Sequence, residues 1–209
     1  MKIKIIMCMI SSSLMLFGCS SNDISSNYSQ KDSESNSIAF SKDDLSHIEN
    51  EVTHIKVIYF SCTNTTKNVA IKISSYLNCD IDEIVPEIPY TSEDLNYNNN
   101  SSRANIEQNS DNARPAINNT INLEDYNTIF LGYPIWWGKL PKIIYTFCDI
   151  YNLDGYTIIP FCTSGSSGIS TSVNELKTLE INATILDGKR FSSNASDNEI
   201  KTYIDSLDL

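Results

Sequence analysis

The chain has 209 residues, with 15 basic and 26 acidic side chains and a formal net charge of −11 at pH 7. This acidic balance argues against nucleic acid or an anionic lipid surface as the partner. The six cysteines include no Cys-x-x-Cys pair, so no zinc site or dithiol centre is indicated.

The first 19 residues have the pattern of an export signal. Lys2 and Lys4 form a short basic region, residues 5–17 are mostly apolar, and Leu-Phe-Gly-Cys ends at Cys19. The apolar run is shorter than the roughly 20 residues that a membrane span needs. The segment resembles the lipobox of bacterial lipoproteins, which implies a signal peptide at residues 1–18, a lipid on Cys19 and a location at the extracytoplasmic face of the cell membrane. An ordinary signal peptide or an uncleaved anchor is the alternative.

The composition changes after this segment. Residues 19–51 are rich in Ser, Asn, Asp and Lys, and their scattered apolar residues share no face. This composition predicts a flexible tether. Residues 52–209 have about the usual length of one compact domain.

Apolar patterning within residues 52–209 predicts alternating strands and helices. Runs rich in β-branched and aromatic residues predict five strands, at residues 55–60, 80–85, 128–133, 157–163 and 183–186. Helical spacing predicts helices from Lys67, at residues 102–108, 140–151 and 170–179, and from Ser196, where Glu199 completes a capping box. This order predicts a parallel sheet covered on both faces, with ligands bound beyond the carboxyl ends of the strands. The long excursion at residues 86–123 is expected to be functional or packed on the domain.

The loop after the first strand consists of small polar residues, which are Ser61, Cys62, Thr63, Asn64, Thr65 and Thr66. At the start of a helix, the hydroxyl and backbone N–H groups of such a loop would bind a phosphate monoester. The loop has no basic residue, and it lacks the glycines and the Lys-Ser/Thr pair of a nucleoside-triphosphate P-loop. A plain turn with a helix cap is the alternative.

The loops after the third and fourth strands carry further candidate binding residues. The third strand leads into Pro134, Ile135, Trp136, Trp137 and Gly138. Two adjacent tryptophans cannot point the same way, so at least one is expected to line a surface cleft. The fourth strand leads into small hydrogen-bond donors that can approach a flat ring closely, namely Thr163, Ser164, Gly165, Ser166, Ser167 and Gly168. Three such loops at one edge of the sheet predict a single ligand site.

Together, three motifs resemble a short-chain bacterial branch of the flavodoxin-like family. They are Tyr-Phe-Ser-x-Thr at residues 59–63, Gly-Tyr-Pro-Ile-Trp-Trp-Gly at residues 132–138 and Phe-x-Thr-Ser-Gly-x-Ser-Gly at residues 161–168. The resemblance implies an α/β three-layer sandwich, a five-stranded parallel sheet in the order 2-1-3-4-5, and FMN as the cofactor. It also implies that the first loop binds the phosphate, the second stacks on the isoalloxazine, and the third meets its pyrimidine edge.

Three positions depart from the pattern of that family. Asn64 stands where glycine is frequent, and Asn tolerates a left-handed backbone better than most residues. The third loop lacks an aromatic residue for the second flavin face, so that face is expected to be open to a partner or covered by residues 86–123. Lys139 stands where an acidic or amide residue is common, and its charge is expected to raise the potential of the flavin.

The resemblance implies an electron carrier, with a redox partner protein or a small electron acceptor as its partner. No residue is singled out as a general acid, base or nucleophile, and His47 and His54 are expected at the surface. The alternatives are an NAD(P)H- or quinone-linked flavin reductase and a non-redox lipoprotein that binds a phosphorylated ligand. A redox role for Cys62 and Cys162 is a further alternative to packing. Without an Arg pair in the basic region, export in the unfolded form is expected, and FMN would be acquired afterwards.

Overall fold

The computed structural model describes residues 54–207 and 209, so the predicted signal, the lipid site and the tether lie outside the described residues. Within this part, one parallel sheet contains six strands: β1 (Ile55–Tyr59), β2 (Asp80–Glu83), β3 (Thr128–Pro134), β4 (Thr157–Thr163), β5 (Thr184–Ile185) and β6 (Lys189–Phe191). The strand order is β2-β1-β3-β4-β5, and β6 also pairs with β4. The predicted order 2-1-3-4-5 is therefore confirmed.

Helices cover both faces of this sheet. In the described residues they are α1 (Thr65–Leu77), α2 (Arg103–Gln108), α3 (Lys142–Ile150), α4 (Ser170–Leu179) and α5 (Asp197–Asp205). The apolar residues of α1 and α5 share a core with Val57, whereas those of α3 and α4 share a second core with Ile58. Successive side chains of a strand point to opposite faces, so these two cores lie on the two sides of the sheet. The result is the predicted three-layer sandwich.

The fifth position in the sheet differs from the prediction. Residues 183–186 were expected to form one strand, but two short strands, β5 and β6, pair in turn with β4. The carbonyls of Tyr156 and Ile158 accept backbone hydrogen bonds from the edge strand. Because backbone groups alternate in direction along a strand, those of Pro160 face the same edge, but proline has no N–H to donate. Beside it, Gly188 has a φ of +71°, and a Cβ there would lie 2.4 Å from the Pro160 carbonyl oxygen. Pro160 and Gly188 together break the edge strand in two.

The element boundaries shift slightly from those expected. Helix α1 begins at Thr65, two residues before the predicted start, because Asn64 with a φ of 62° already turns the chain into the helix. The start of α5 is as predicted, since the N–H of Glu199 donates to Ser196 Oγ at 3.1 Å. Such caps typically contribute about 1 kcal/mol.

The excursion at residues 86–123 packs on the domain rather than extending away from it. Pro86 forms an antiparallel bridge with Ile117, which closes the base of the excursion. Ala104 on α2 and Ile121 are buried in the same core as α3 and α4. In the described part of the chain, no helix is long and apolar enough to span a bilayer.

Candidate functional site

A cavity of about 410 Å³ lies beyond the carboxyl ends of β1, β3 and β4. This volume falls within the range of roughly 300–1,000 Å³ that small-molecule sites occupy. Its walls come from the three predicted loops, from the excursion and from the loop after β6. The lining residues are Ser61, Cys62, Thr63, Thr65, Thr66, Leu95, Tyr97, Pro134, Ile135, Trp136, Trp137, Thr163, Ser164, Gly165 and Ser193.

The first loop presents hydroxyl groups at the start of α1. Asn64 adopts the left-handed conformation that its residue type favours, and its side chain does not cap the helix. Thr63 Oγ1 and Thr65 Oγ1 lie 3.1 Å apart. Thr66 is buried, and its hydroxyl shares a 2.8 Å hydrogen bond with that of Thr163 at the end of β4. This bond fixes the first loop to the third.

The second loop is a tight hairpin. The N–H of Trp136 donates to the Lys139 carbonyl at 3.2 Å, and the N–H of Lys139 donates to the Trp136 carbonyl at 2.9 Å. The two residues between them, Trp137 and Gly138, have φ values of 48° and 76°. Two positive φ values are what a type I′ turn requires. Glycine adopts this conformation freely, whereas Trp137 does so against its preference.

The turn sends the two tryptophans into different surroundings, as their adjacency predicts. Trp136 is 5% exposed, and its ring meets the edges of Phe60 and Tyr90 at centroid distances of 5.5 and 5.2 Å. Trp137 is half-buried and stacks on Tyr97 of the excursion, with centroids 4.2 Å apart and planes at 26°. Trp136 therefore anchors the loop in the core, while Trp137 offers its ring to the cavity.

Helix α2 supports the second loop through a side chain that bonds to its backbone. Gln108 is buried, and its Nε2 donates to the carbonyls of Trp136 and Leu140, both at 3.2 Å. Its Oε1 accepts from the N–H of Lys142 at 3.1 Å. One side chain thus satisfies three backbone groups around the hairpin, which buried polar groups require.

A second set of contacts links α2 to Tyr90, which packs against Phe60 and Trp136. The Tyr90 hydroxyl donates to Glu107 at 2.6 Å, and Arg103 donates to the same carboxylate at 2.7 Å. The Arg103 guanidinium also lies 3.9 Å from the centre of the Tyr90 ring. Burial and the Glu107 carboxylate raise the pKa of Tyr90 well above its usual value, so the phenol stays protonated.

The cavity is electrically neutral at its surface. In the described chain, none of its lining residues is an Asp, Glu, Lys, Arg or His. Burial raises the pKa of the Cys62 thiol to about 12 and also raises the pKa of Tyr97. Residues 54–207 and 209 contain no cluster of His, Cys, Asp or Glu that could hold a metal ion. Hydroxyl, amide and aromatic groups are therefore what a ligand would meet.

The structure brings most of the predicted site residues together. Of the residues predicted to bind the cofactor, Asn64 and Gly138 do not line the cavity but hold the positive-φ positions beside it. Ser166, Ser167 and Gly168 continue the third loop at the surface, and their contact with a ligand stays a prediction.

The sequence analysis missed three lining residues: Leu95, Tyr97 and Ser193. Leu95 and Tyr97 belong to the excursion, which has little apolar periodicity, and Ser193 follows the unpredicted strand β6. The excursion was expected either to cover the second face of the flavin or to leave that face open. Its residues Leu95 and Tyr97 form part of the cavity lining. The single aromatic residue between Leu95 and the Asn run at residues 98–100 was the available signal.

Comparisons with known proteins agree with this architecture. A family model described as flavodoxin matches residues 54–207. A protein from Bacteroides uniformis, described as a flavoprotein, is 35% identical, with 74% of this chain and 99% of that chain covered and a TM-score of 0.71. For another from Bacteroides eggerthii the identity is 36%, the coverage 75% and 99%, and the TM-score 0.69. No curated protein matches the sequence.

A more distant solved structure contains a bound ligand. It is a flavoprotein from Lactobacillus acidophilus in complex with FMN, 23% identical, with 73% of this chain and 99% of that chain covered and a TM-score of 0.55. At this identity the likeness concerns the fold alone. Because the family model spans nearly all the described residues and the sheet has the matching order, the chain belongs to the flavodoxin family.

Proposed function

We propose that the protein binds FMN in this cavity and works as an electron carrier. The observation that carries the proposal is the meeting of three loops, each predicted as a ligand contact, around one neutral cavity of about 410 Å³. The FMN in the Lactobacillus acidophilus structure supports the same class of ligand here.

The first loop suits the phosphate of FMN. Ser61, Thr63 and Thr65 supply hydroxyl donors to the cavity wall, and α1 begins directly behind them. The N–H groups at a helix start and the positive end of the helix dipole favour an anion. A phosphate held in this way needs no metal ion and no basic side chain.

A second part of the cavity wall suits a flat aromatic ring. Leu95, Tyr97, Ile135 and Trp137 provide an apolar and aromatic surface, and Gly165 has no side chain to obstruct a close approach. Rings of this size prefer offset-stacked arrangements with aromatic side chains. Orientation and exclusion of water are therefore the contributions of this wall.

The lining favours electron transfer over acid–base chemistry. When bound, FMN supplies the redox chemistry, and the protein holds and shields its ring. Among the described residues of the lining, Cys62 and Tyr97 are titratable, and burial raises the pKa of both. Both stay protonated near pH 7, so neither would serve as a base. This supports a carrier rather than an enzyme with its own catalytic side chain.

The test is an absorption spectrum of the purified full chain after addition of FMN and gel filtration, followed by anaerobic titration with dithionite. We expect flavin absorbance to elute with the protein and reduction to proceed in two separate one-electron stages. Reduction in a single stage with steady NAD(P)H or quinone turnover would favour a reductase instead. Absence of flavin, with binding of another phosphate compound, would favour a non-redox binding protein.

A matched pair of variants locates the site. Thr65→Val removes a hydroxyl from the cavity wall, whereas Thr178→Val removes one from α4, where it bonds to the Asn174 carbonyl. A hydrogen bond to a charged group contributes about 1.5–3 kcal/mol. We expect Thr65→Val to weaken FMN binding at least tenfold and Thr178→Val to leave it unchanged. Equal effects would contradict this location.

We further propose that a lipid on Cys19 anchors the protein at the extracytoplasmic face of a bacterial membrane. The Leu-Phe-Gly-Cys segment after a short apolar run supports this. Labelling of expressing cells with a fatty acid should mark the wild-type chain and the Cys8→Ala variant but not Cys19→Ala. Labelling of Cys19→Ala, or no labelling of the wild type, would contradict the proposal.

A further inference from the structure

One cation lies directly behind the third loop. Arg190 on β6 donates from Nε to Ser164 Oγ at 3.0 Å, and from Nη2 to the carbonyl oxygens of Ser164 at 3.0 Å and Gly165 at 2.8 Å. Ser164 and Gly165 both line the cavity. The guanidinium therefore bonds directly to two residues of the cavity lining.

Two other positive charges near the cavity, unlike that of Arg190, are paired with carboxylates. Arg103 pairs with Glu107 at 2.7 Å, and Lys67 at the start of α1 pairs with Glu83 at 3.2 Å. Within residues 54–207, Arg190 forms no ion pair, and the bonds described above all go to neutral oxygen atoms. Among the described residues, therefore, no carboxylate cancels its positive charge.

We infer that Arg190 stabilises the reduced form of the bound flavin relative to the oxidised form and so raises its reduction potential. The inference rests on the proposed FMN site. Two-electron reduction by an external donor adds two electrons and one proton to the ring, which thereby gains one negative charge. The phosphate charge is the same in both forms and cancels from the difference. In this difference, a nearby unpaired cation therefore contributes only through its attraction to the added charge.

Arg190 also holds the third loop in position. This structural effect can be separated from the effect of its charge. A purely structural contribution would change the affinity for oxidised and reduced FMN equally, and the potential would stay constant. A charge contribution changes the affinity for reduced FMN more, and the potential moves with the ratio of the two affinities. Arg190→Lys keeps the charge but loses the planar fork, whereas Arg190→Gln keeps a donor but loses the charge.

The neighbouring residue provides a matched control. Lys189 precedes Arg190 on β6, and successive side chains of a strand point to opposite faces. Lys189→Gln removes the same unit of charge from the same strand without touching Ser164 or Gly165. A general change in net charge would therefore affect both variants alike.

The experiment measures the two-electron potential of FMN on the full chain by dithionite titration against a reference dye, together with the affinity for oxidised FMN. For Arg190→Gln we expect the affinity for reduced FMN to fall about tenfold more than the affinity for oxidised FMN. This ratio corresponds to a fall of about 30 mV in the reduction potential. Arg190→Lys should retain most of the wild-type potential, and Lys189→Gln should change the ratio less than threefold.

Two results would overturn the inference. One is an unchanged potential in Arg190→Gln, whatever happens to its affinity for oxidised FMN. The other is an equal fall in Lys189→Gln, which would assign the effect to net charge. A wild-type chain that bound no FMN would overturn the proposed function itself, and that outcome is seen before any variant is compared.

Discussion

Tyr97 controls access to one face of Trp137. Their rings stack with centroids 4.2 Å apart, which leaves no room for a third ring between them. A flavin that stacks on this face must therefore move the exposed Tyr97 ring away. Aromatic pairs of this kind contribute about 0.5–1.5 kcal/mol.

We therefore expect Tyr97→Ala to bind FMN about three- to tenfold faster than the wild type, because it has no stacked pair to separate. Stopped-flow quenching of flavin fluorescence measures the association rate. Tyr97→Phe keeps the ring and serves as the control, with a rate close to that of the wild type. Slower association of Tyr97→Ala would show that Tyr97 assists binding instead.

The two cysteines near the cavity are poor nucleophiles. Burial raises the pKa of Cys62 and of Cys162 to about 12, so both remain thiols at neutral pH. The thiolate is the reactive form of cysteine. These pKa values argue against the redox role that their position near the cavity had left open.

Alkylation tests this view of the thiols. With iodoacetamide at pH 7.5, we expect Cys62 in the folded protein to react far more slowly than in urea, and its rate to keep rising up to about pH 12. Peptide mass spectrometry gives the rate for each cysteine. A rate for Cys62 that levels off near pH 8 would contradict the protonated thiol.

At the scale of elements, α2 supports the hairpin at residues 136–139. Gln108 satisfies the backbone at Trp136, Leu140 and Lys142. Removing such a partner leaves buried polar groups unpaired, at a cost of about 1–3 kcal/mol for each group. The position of Trp137 therefore depends on a helix that contributes no residue to the cavity lining.

For Gln108→Leu we expect a loss of about 2–4 kcal/mol in the free energy of unfolding, together with weaker FMN binding. Urea denaturation and fluorescence titration measure the two effects. Ile106→Ala on the same helix is the control, because Ile106 is 58% exposed and should change stability by less than about 0.5 kcal/mol. Equal losses in both variants would contradict the role of Gln108.

Elements held by local interactions could be predicted from the sequence, whereas those that depend on distant residues could not. Strand β4 and helix α4 were predicted to the residue because their apolar patterns are local. Strand β6 was missed because Lys-Arg-Phe has no strand signal of its own, and the break before it depends on Pro160 in the neighbouring strand as well as on Gly188. Tyr97 could not be assigned to the site, since its contact with Trp137 joins residues 40 apart in the chain.

At the scale of the whole molecule, partly buried thiol and phenol groups make the stability depend on pH. Burial raises the pKa of Cys79 to about 11, and those of Tyr145 and Tyr203 to about 12. In the unfolded chain such groups ionise near pH 9 for cysteine and 10 for tyrosine. The folded state therefore holds more protons between about pH 9 and 12 than the unfolded state.

We accordingly expect the free energy of unfolding to be constant between about pH 7 and 9 and to fall as the pH rises towards 12. The urea midpoint, measured at intervals from pH 7 to 11 under reducing conditions, checks this. The variant Cys79→Val should show a smaller fall between pH 9 and 11, because one of the thiols that ionise near pH 9 in the unfolded chain is gone. A midpoint that rises over this interval would contradict the sign.

The bond between Thr66 and Thr163 makes formation of the candidate site depend on late steps of folding. It joins hydroxyls 97 residues apart, one at the start of α1 and the other at the end of β4. A chain that emerges from its amino terminus, from a ribosome or through a membrane, lacks this bond until residue 163 is free to fold. The first loop alone therefore does not complete the site. We expect flavin binding to begin only after most of the domain has folded.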